Sequence, residues 1–376
     1  MNKAVEYEGR SGLYNTTERF ATLSEIVERA RENLDPAVCD FLEGGSGAER
    51  TLDRNRTAFD QWQFEPRVMS GLDVPDLSTR FLGLDLALPV LTAPFGADAL
   101  FHPEGHLAVA SANAAEGVVS IVPEAGSHSL EAVAARYPQS ARIAQLHPMG
   151  SDQNFLGMLE RIERAGYDAV CVTVDCPTSG WRERNLNNRF DPSLSVISGN
   201  YSQQSGIELS DVFGQIFTRA GAVWGWDHLA ELMSQYPLPW IAKGIVTEPD
   251  ALAAVEAGAS GVVVSTHGGR QLDGLPGALD RLPGIAEVLR GRAAVAFDSG
   301  IRSGGDVVAA LCLGADVVIV GRLAAYALAA DGEVGVRRMH QLLREEITAT
   351  LALLGRGGIA DLGPHAIRRS SERPIS

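Results

Sequence analysis

Residues 265–274 read STHGGRQLDG, which sets a histidine and an arginine three positions apart with only glycines between them, directly after the apolar run GVVV. An imidazole exchanges protons near neutral pH, and a guanidinium grips a carboxylate through two parallel hydrogen bonds. Two other apolar runs end in charge, and a loop nearby adds a cation. AVCVTV leads into Asp175, PWIAK ends in Lys243, and SGWRERN supplies Arg182 shortly after Asp175. A base (His267), a carboxylate to orient it (Asp175), two cations for an acid group (Arg270, Arg182) and a lysine on a buried strand suit proton abstraction from a carboxylate substrate. Further along, FDSGIRSGGDVVAAL places Gly300, Arg302, Gly304 and Gly305 before a helical pattern, and VGR brings Gly321 and Arg322. Glycine loops, arginines and a helix start favour phosphate, so a phosphate-bearing cofactor is expected to accept the electrons.

Eight short apolar segments must position these groups: 89–93, 118–122, 142–146, 169–174, 239–243, 261–265, 293–297 and 316–320. They are apolar throughout rather than alternating, as in a parallel sheet buried on both faces. Patterns with helical period, such as FLGMLERIERAG and EPDALAAVEAGA, separate most of them. The alternation predicts an α/β fold, a (β/α)8 TIM barrel, and no GxGxxG follows the first strand to favour a doubly wound sheet. Working residues in such barrels lie at the C-terminal strand ends. Those ends carry Pro94, Phe95 and Gly96; Gln145 and His147; Thr173 and Asp175; Lys243; Ser265, His267 and Arg270; Asp298; and Gly321 with Arg322. Residues 1–85 read as an N-terminal helical cap, 86–360 as the barrel and 361–376 as a C-terminal tail. The segment 185–222 after strand four is far longer than an ordinary loop, as lids and flexible connections are.

Composition narrows the partners. The 376 residues carry a net charge of −15, which disfavours nucleic acid and anionic membrane, although a few buried arginines still make a local anion site. No apolar stretch has membrane-spanning length, and the polar first twenty residues lack a secretory core, so a cytoplasmic protein is expected. Cys39, Cys171, Cys176 and Cys312 show no CxxC spacing, which predicts reduced thiols and no metal site.

STHGGRQLDG, AKGI (242–245), TVD (173–175), FDSGIRSGGDV (297–307) and VGR (320–322) together resemble the FMN-dependent α-hydroxy acid oxidase and dehydrogenase family, over roughly residues 23–355. The resemblance implies FMN as cofactor, a small carboxylate substrate and a homotetramer. It implies His267 as the base, with Asp175 beside its imidazolium, and Arg270 and Arg182 on the substrate carboxylate. Lys243 would stabilise the reduced flavin. Gln145, Thr173 and Ser265 would bond the flavin ring or ribityl chain, with the Pro94–Phe95–Gly96 backbone alongside. Asp298, Gly300, Arg302, Gly321 and Arg322 would bind ribityl and phosphate.

The chain departs from that family on the substrate side. Phe41 and His147 stand where tyrosines are usual, Thr266 stands for asparagine, and Pro123, Glu124 and Ala125 follow strand two. Losing hydrogen bonds to a charged carboxylate costs about 1.5–3 kcal/mol each, so glycolate and lactate are expected to be poor substrates. A larger substrate with an extra polar group, met by His147 or Glu124, fits these changes. Oxidation of a biosynthetic intermediate, including oxidative decarboxylation, and a non-catalytic flavin-binding barrel stay open, as does the electron acceptor.

Overall fold

A computed structural model of the protein describes residues 19–201, 209–218 and 223–370. Its centre is a closed barrel of eight parallel strands: β1 (Val90–Thr92), β2 (Val119–Val122), β3 (Arg142–Leu146), β4 (Ala169–Thr173), β5 (Trp240–Ile245), β6 (Gly261–Val264), β7 (Ala294–Phe297) and β8 (Val317–Val320). Each pairs with its sequence neighbours, and β8 closes the ring on β1 through Val318, Ile319 and Val320 against Val90, Leu91 and Thr92. Every expected strand is present, because these runs meet apolar neighbours on both faces and leave water on neither.

Two cores divide the apolar side chains. Inside the barrel, Leu91, Ile121, Ile143, Cys171, Ile241, Val263, Ala296 and Ile319 fill the lumen, joined from below by Phe81 and Leu86 of a hairpin (Thr79–Phe81 with Leu84–Leu86). The hairpin therefore plugs the N-terminal end and leaves the C-terminal end to open. Outside, helices cover the alternate side chains of the strands in one continuous layer. The helix Arg322–Leu354 breaks at Asp331 and Gly332, and its buried face packs on Leu23–Asn33 and Gly105–Glu116.

The N-terminal segment reaches the mouth. Helices Pro36–Glu43 and Arg50–Thr57 lie beside the turn that follows β6, and Ser46 donates from N to Gly269 O (2.8 Å) and from Oγ to Arg270 O (2.6 Å). Asp273 Oδ1 accepts from Thr51 N at 2.8 Å. Residues 361–370 run through a turn into a strand, Ile367–Arg369, antiparallel to Trp62–Phe64. The long connection after β4 contains helices Glu183–Asn187 and Leu209–Thr218 and a turn at Leu194–Val196; its residues 202–208 and 219–222 lie outside the described residues.

Asn55 is a fully buried tie between cap and barrel. It is 1% exposed, its Nδ2 donates to Thr266 Oγ1 at 2.8 Å, and its Oδ1 accepts from Ala278 N at 3.1 Å. Asn55→Ala strands buried donors and acceptors on two elements and is expected to cost about 1–3 kcal/mol. The urea unfolding midpoint should fall accordingly, whereas replacing the exposed Asp60 with Ala should leave it in place.

Candidate active site

The strand ends open into one large cavity of about 600 Å³. Its wall includes Phe41, Pro94, Phe95, Gly96, Gln145, His147, Thr173, Arg182, Lys243, His267, Arg270, Asp298, Gly300, Arg302, Gly321 and Arg322, all singled out in the sequence. Asp175 and Ser265 stand behind that wall.

His267 occupies the turn after β6. Its backbone is left-handed (φ 55°), as are Gly268 (φ 63°) and Gly269 (φ 74°). Such a conformation costs a non-glycine residue about 1–3 kcal/mol, and here the N-terminal segment holds it in place. A Cβ at 268 would also press on the Arg322 guanidinium and displace it. His267 Nδ1 faces Asp175 Oδ1 at 3.1 Å, and its backbone N donates to Ser265 Oγ at 3.0 Å. Burial opposes the Asp175 carboxylate, but His267 and Lys243 outweigh it and hold the pKa at about 2. Burial lowers the His267 pKa; Lys243 and Arg182 lower it further, and Asp175 works against them.

Space for this pairing comes from β5. Gly244 sits at φ 108°, and a Cβ there would stand 2.4 Å from Asp175 Cγ. Beside it, Lys243 Nζ donates to Ser265 Oγ (3.3 Å) and lies 3.4 Å from Asp298 Oδ2. Burial pushes the ammonium pKa down, yet Asp298 and Asp175 hold it above its ordinary value, so the lysine is a fixed positive charge.

Four guanidiniums face the cavity without an ion pair among the described residues. Arg270 Nη1 donates to the carbonyls of Phe41 (2.6 Å), Leu42 and Gly44, and its head lies 5.0 Å over the Phe41 ring. Arg182 donates to Arg270 O and Gln271 Oε1, each at 3.3 Å. Arg322 reaches Leu42 O, Gly44 O and Gly268 O, and Arg302 reaches Ile301 O. Burial, with the neighbouring Arg182 and Arg322 charges, holds the Arg270 pKa well below its usual value; burial and Arg302 bring Arg322 to about 10. Buried like charges of this kind form a binding site for anions.

The helix expected to start the phosphate site, Gly304–Cys312, is already capped. Arg302 N and Ser303 N donate to Asp306 Oδ2, and Gly304 N donates to Glu346 Oε2 at 2.6 Å. A second anion at Gly304 would meet those carboxylates. The start of Arg322–Leu354 carries no side-chain cap, and Gly321 and Arg322 line the cavity there.

The substrate-side departures also resolve into contacts. Of the two residues offered for an extra polar group of the substrate, His147 or Glu124, Glu124 is 2% exposed and not on the cavity wall. Its carboxylate is consumed by three donors: His147 N (2.8 Å), His147 Nδ1 (2.9 Å) and the Tyr201 hydroxyl. His147 itself lines the cavity, edge-on to Phe213 with ring centroids 5.5 Å apart. Residues missed in the sequence belong chiefly to the connection after β4: Phe190, Ile197, Phe213 and Ile216 form the apolar outer wall, and Phe190 stacks on Phe41 at 5.1 Å. Gln271 was in view within STHGGRQLDG; its Nε2 donates to Asp175 O (3.0 Å) and Thr178 O (2.9 Å).

Comparison with known proteins follows the same outline. Residues 30–369 match the family model described as FMN-dependent dehydrogenase. The chain belongs to the FMN-dependent dehydrogenase family. It is 36% identical to a peroxisomal (S)-2-hydroxyacid oxidase of Arabidopsis thaliana over 358 residues, 95% of this chain and 98% of the relative. It is 37% identical to an L-lactate oxidase of Nostoc over 349 residues, 90% and 96% of the two chains. The structure of a mandelate oxidase with (S)-2-phenylpropionate superimposes with a TM-score of 0.83 at 37% identity, covering 91% of this chain and 96% of that one. This member of the family is thus an FMN-dependent oxidoreductase of the 2-hydroxy acid oxidising type, acting on CH–OH donors. Its lumen plug, barrel and mouth are those of a TIM barrel. Among the described residues no helix is long and apolar enough to cross a membrane.

The electrostatics give a pH prediction. With His267 as the base expected from the sequence, which works when neutral, kcat/KM should rise as pH passes upward through the His267 pKa. Asp175 favours the imidazolium, so Asp175→Asn should lower that pKa and move the acid limb of the profile to lower pH. The same change removes the acceptor for Nδ1–H and should cut kcat by about 10²–10⁴-fold. Steady-state rates across pH 4–9 would check both.

Proposed function

We propose that the protein oxidises a 2-hydroxy acid with a side chain bulkier than that of glycolate or lactate. The observation that carries this reading is the convergence on one cavity of the His267–Asp175 pair with guanidiniums that lack an ion pair. In it, Nδ1 of His267 is engaged by Asp175 and Nε2 takes the substrate proton, while Arg270 and Arg182 hold the carboxylate and fix the hydroxyl carbon in place. FMN, when bound, supplies the two-electron acceptor. The residues suit it: Arg302, Arg322 and the uncapped helix start would hold the phosphate, and Asp298 and Gly300 the ribityl chain. Pro94, Phe95, Gly96, Gln145 and Thr173 would border the ring, with Lys243 supplying positive charge for its reduced form. Ser265 would act through Lys243 and His267 N, both of which its Oγ touches.

What supports a bulky side chain is the outer wall. Phe41 offers only an apolar face and a carbonyl already used by Arg270, and Phe190, Ile197, Phe213 and Ile216 continue the apolar surface. His147, held through Nδ1 by Glu124, turns Nε2, which Gln145 Nε2 approaches at 3.4 Å, toward the cavity as the polar point on that wall for a further group of the substrate. A homotetramer and a cytoplasmic location belong to the same proposal; light scattering should give four times the chain mass of 40.0 kDa.

Anaerobic reduction of the bound flavin by a graded series, glycolate, lactate, 2-hydroxyoctanoate and mandelate, tests the reading. The larger acids should bleach the flavin at least about tenfold faster at equal concentration, from the apolar area each adds. His267→Ala should abolish bleaching by all. Glycolate or lactate turnover at about 10⁵ M⁻¹s⁻¹ or above would overturn the size preference.

A further inference from the structure

Cys176 is a thiol the proposed reaction does not use. It follows Asp175 at the mouth, is buried, lines the cavity and touches both members of the base pair. Its Sγ lies 3.4 Å from Asp175 Oδ1 and 3.5 Å from His267 Nδ1, and those two atoms are 3.1 Å apart. Sulfur, nitrogen and oxygen therefore form a nearly equilateral triangle. In tetrahedral zinc sites the bonds are about 2.3 Å to sulfur and about 2.0–2.2 Å to nitrogen and oxygen, so ligand atoms are roughly 3.3–3.7 Å apart. The triangle is already that of three corners, within a few tenths of an ångström. An ion just off its plane would bond all three without a change of fold.

No spacing motif marks this set, because Cys176 and His267 are ninety-one positions apart. The ligand chemistry is nevertheless selective. Thiolate and imidazole favour soft or borderline cations over magnesium and calcium. Thiolate and carboxylate also balance a divalent charge, and Lys243, the nearest ammonium, is paired with Asp298. The second carboxylate oxygen, Asp175 Oδ2, is buried and has no hydrogen-bond partner among the described residues. Two of the three ligand residues lie on the cavity wall, so the fourth position opens toward substrate.

We propose that Cys176, His267 and Asp175 form a three-ligand site for a soft divalent cation such as Zn²⁺, whose binding arrests the enzyme by capturing the base. The arrest, though not the binding, rests on His267 being that base.

The test uses the FMN-loaded protein. Calorimetric titration with ZnCl₂ should give one saturable site per chain, and CoCl₂ should produce tetrahedral cobalt bands with thiolate charge transfer in the difference spectrum. Cys176→Ser and Cys176→Thr should each weaken zinc binding at least about tenfold and remove the charge-transfer band. Cys39→Ser, at a position that is not on the cavity wall, should change neither. Flavin content and the unfolding midpoint establish that the variants are folded. Zinc should also stop flavin reduction by substrate, and EDTA should restore it. Binding that is absent, or undiminished in both Cys176 variants, overturns the site; stoichiometric binding with undiminished flavin reduction overturns the arrest. If no 2-hydroxy acid reduces the flavin even without zinc, the proposed function fails while the calorimetric and cobalt results still decide the site.

Discussion

The Asp175 carboxylate, paired with the His267 imidazole at 3.1 Å and stabilised by the nearby charge of Lys243, is the interaction on which the mouth of this barrel depends. A carboxylate taken out of water at that depth is costly unless charge and hydrogen bonds replace the solvent. Lys243 supplies charge and His267 a hydrogen bond, and the rest of the local structure makes room for the carboxylate. Gly244 gives up a side chain where one would strike Asp175 Cγ, Gln271 fastens the Asp175 carbonyl, and the turn at 267–269 accepts a left-handed path that aims the imidazole inward. Lys243 is in turn balanced by Asp298 at the end of β7. Four strand ends are thus tied by charge, and the barrel's own hydrogen bonding sets the distances at which they meet.

The N-terminal segment belongs to that arrangement as much as to the packing. Carbonyls of Phe41, Leu42 and Gly44 receive Arg270 and Arg322, while Asn55 holds Thr266. Two guanidiniums are therefore fixed by backbone oxygens, which carry no net charge. That choice positions the cations but leaves their charge unsatisfied, which is what an anion site requires. A carboxylate in place of those carbonyls would fix the arginines equally well and neutralise them.

The barrel was legible in the sequence because its signal is local: a strand buried on both faces must be apolar at every position, as VVIV and GVVV are. The strand-end residues were legible for the same reason, since chain position within a (β/α)8 repeat places them at one rim. What escaped is what depends on pairs far apart in sequence. The capping of Gly304–Cys312 involves Glu346, forty-two residues beyond Gly304, so the motif that looked like an open helix start is closed by a remote side chain. Phe213 on the helix Leu209–Thr218 and Tyr201 before it lie in the long connection after β4, and nothing in their sequence neighbourhood announces that one lines the cavity and the other bonds Glu124.

Glu124 and His147 show why such residues have to be read together. Each looked in sequence like a separate departure on the substrate side, but the fold makes them one unit. A glutamate buried alone at the end of β2 would be penalised by several kcal/mol; beside His147 and Tyr201 each oxygen is occupied. Conversely, a histidine at 147 without the glutamate has no carboxylate acceptor to fix Nδ1 and so to set which ring nitrogen faces Gln145 and the cavity. The hydroxyl of Tyr201 completes the set from the long connection after β4, so that connection is coupled to the catalytic mouth through one buried carboxylate. Changing the side chain at any of the three leaves an unpaired polar group in the interior, which is why this part of the wall has to change as a set rather than one residue at a time.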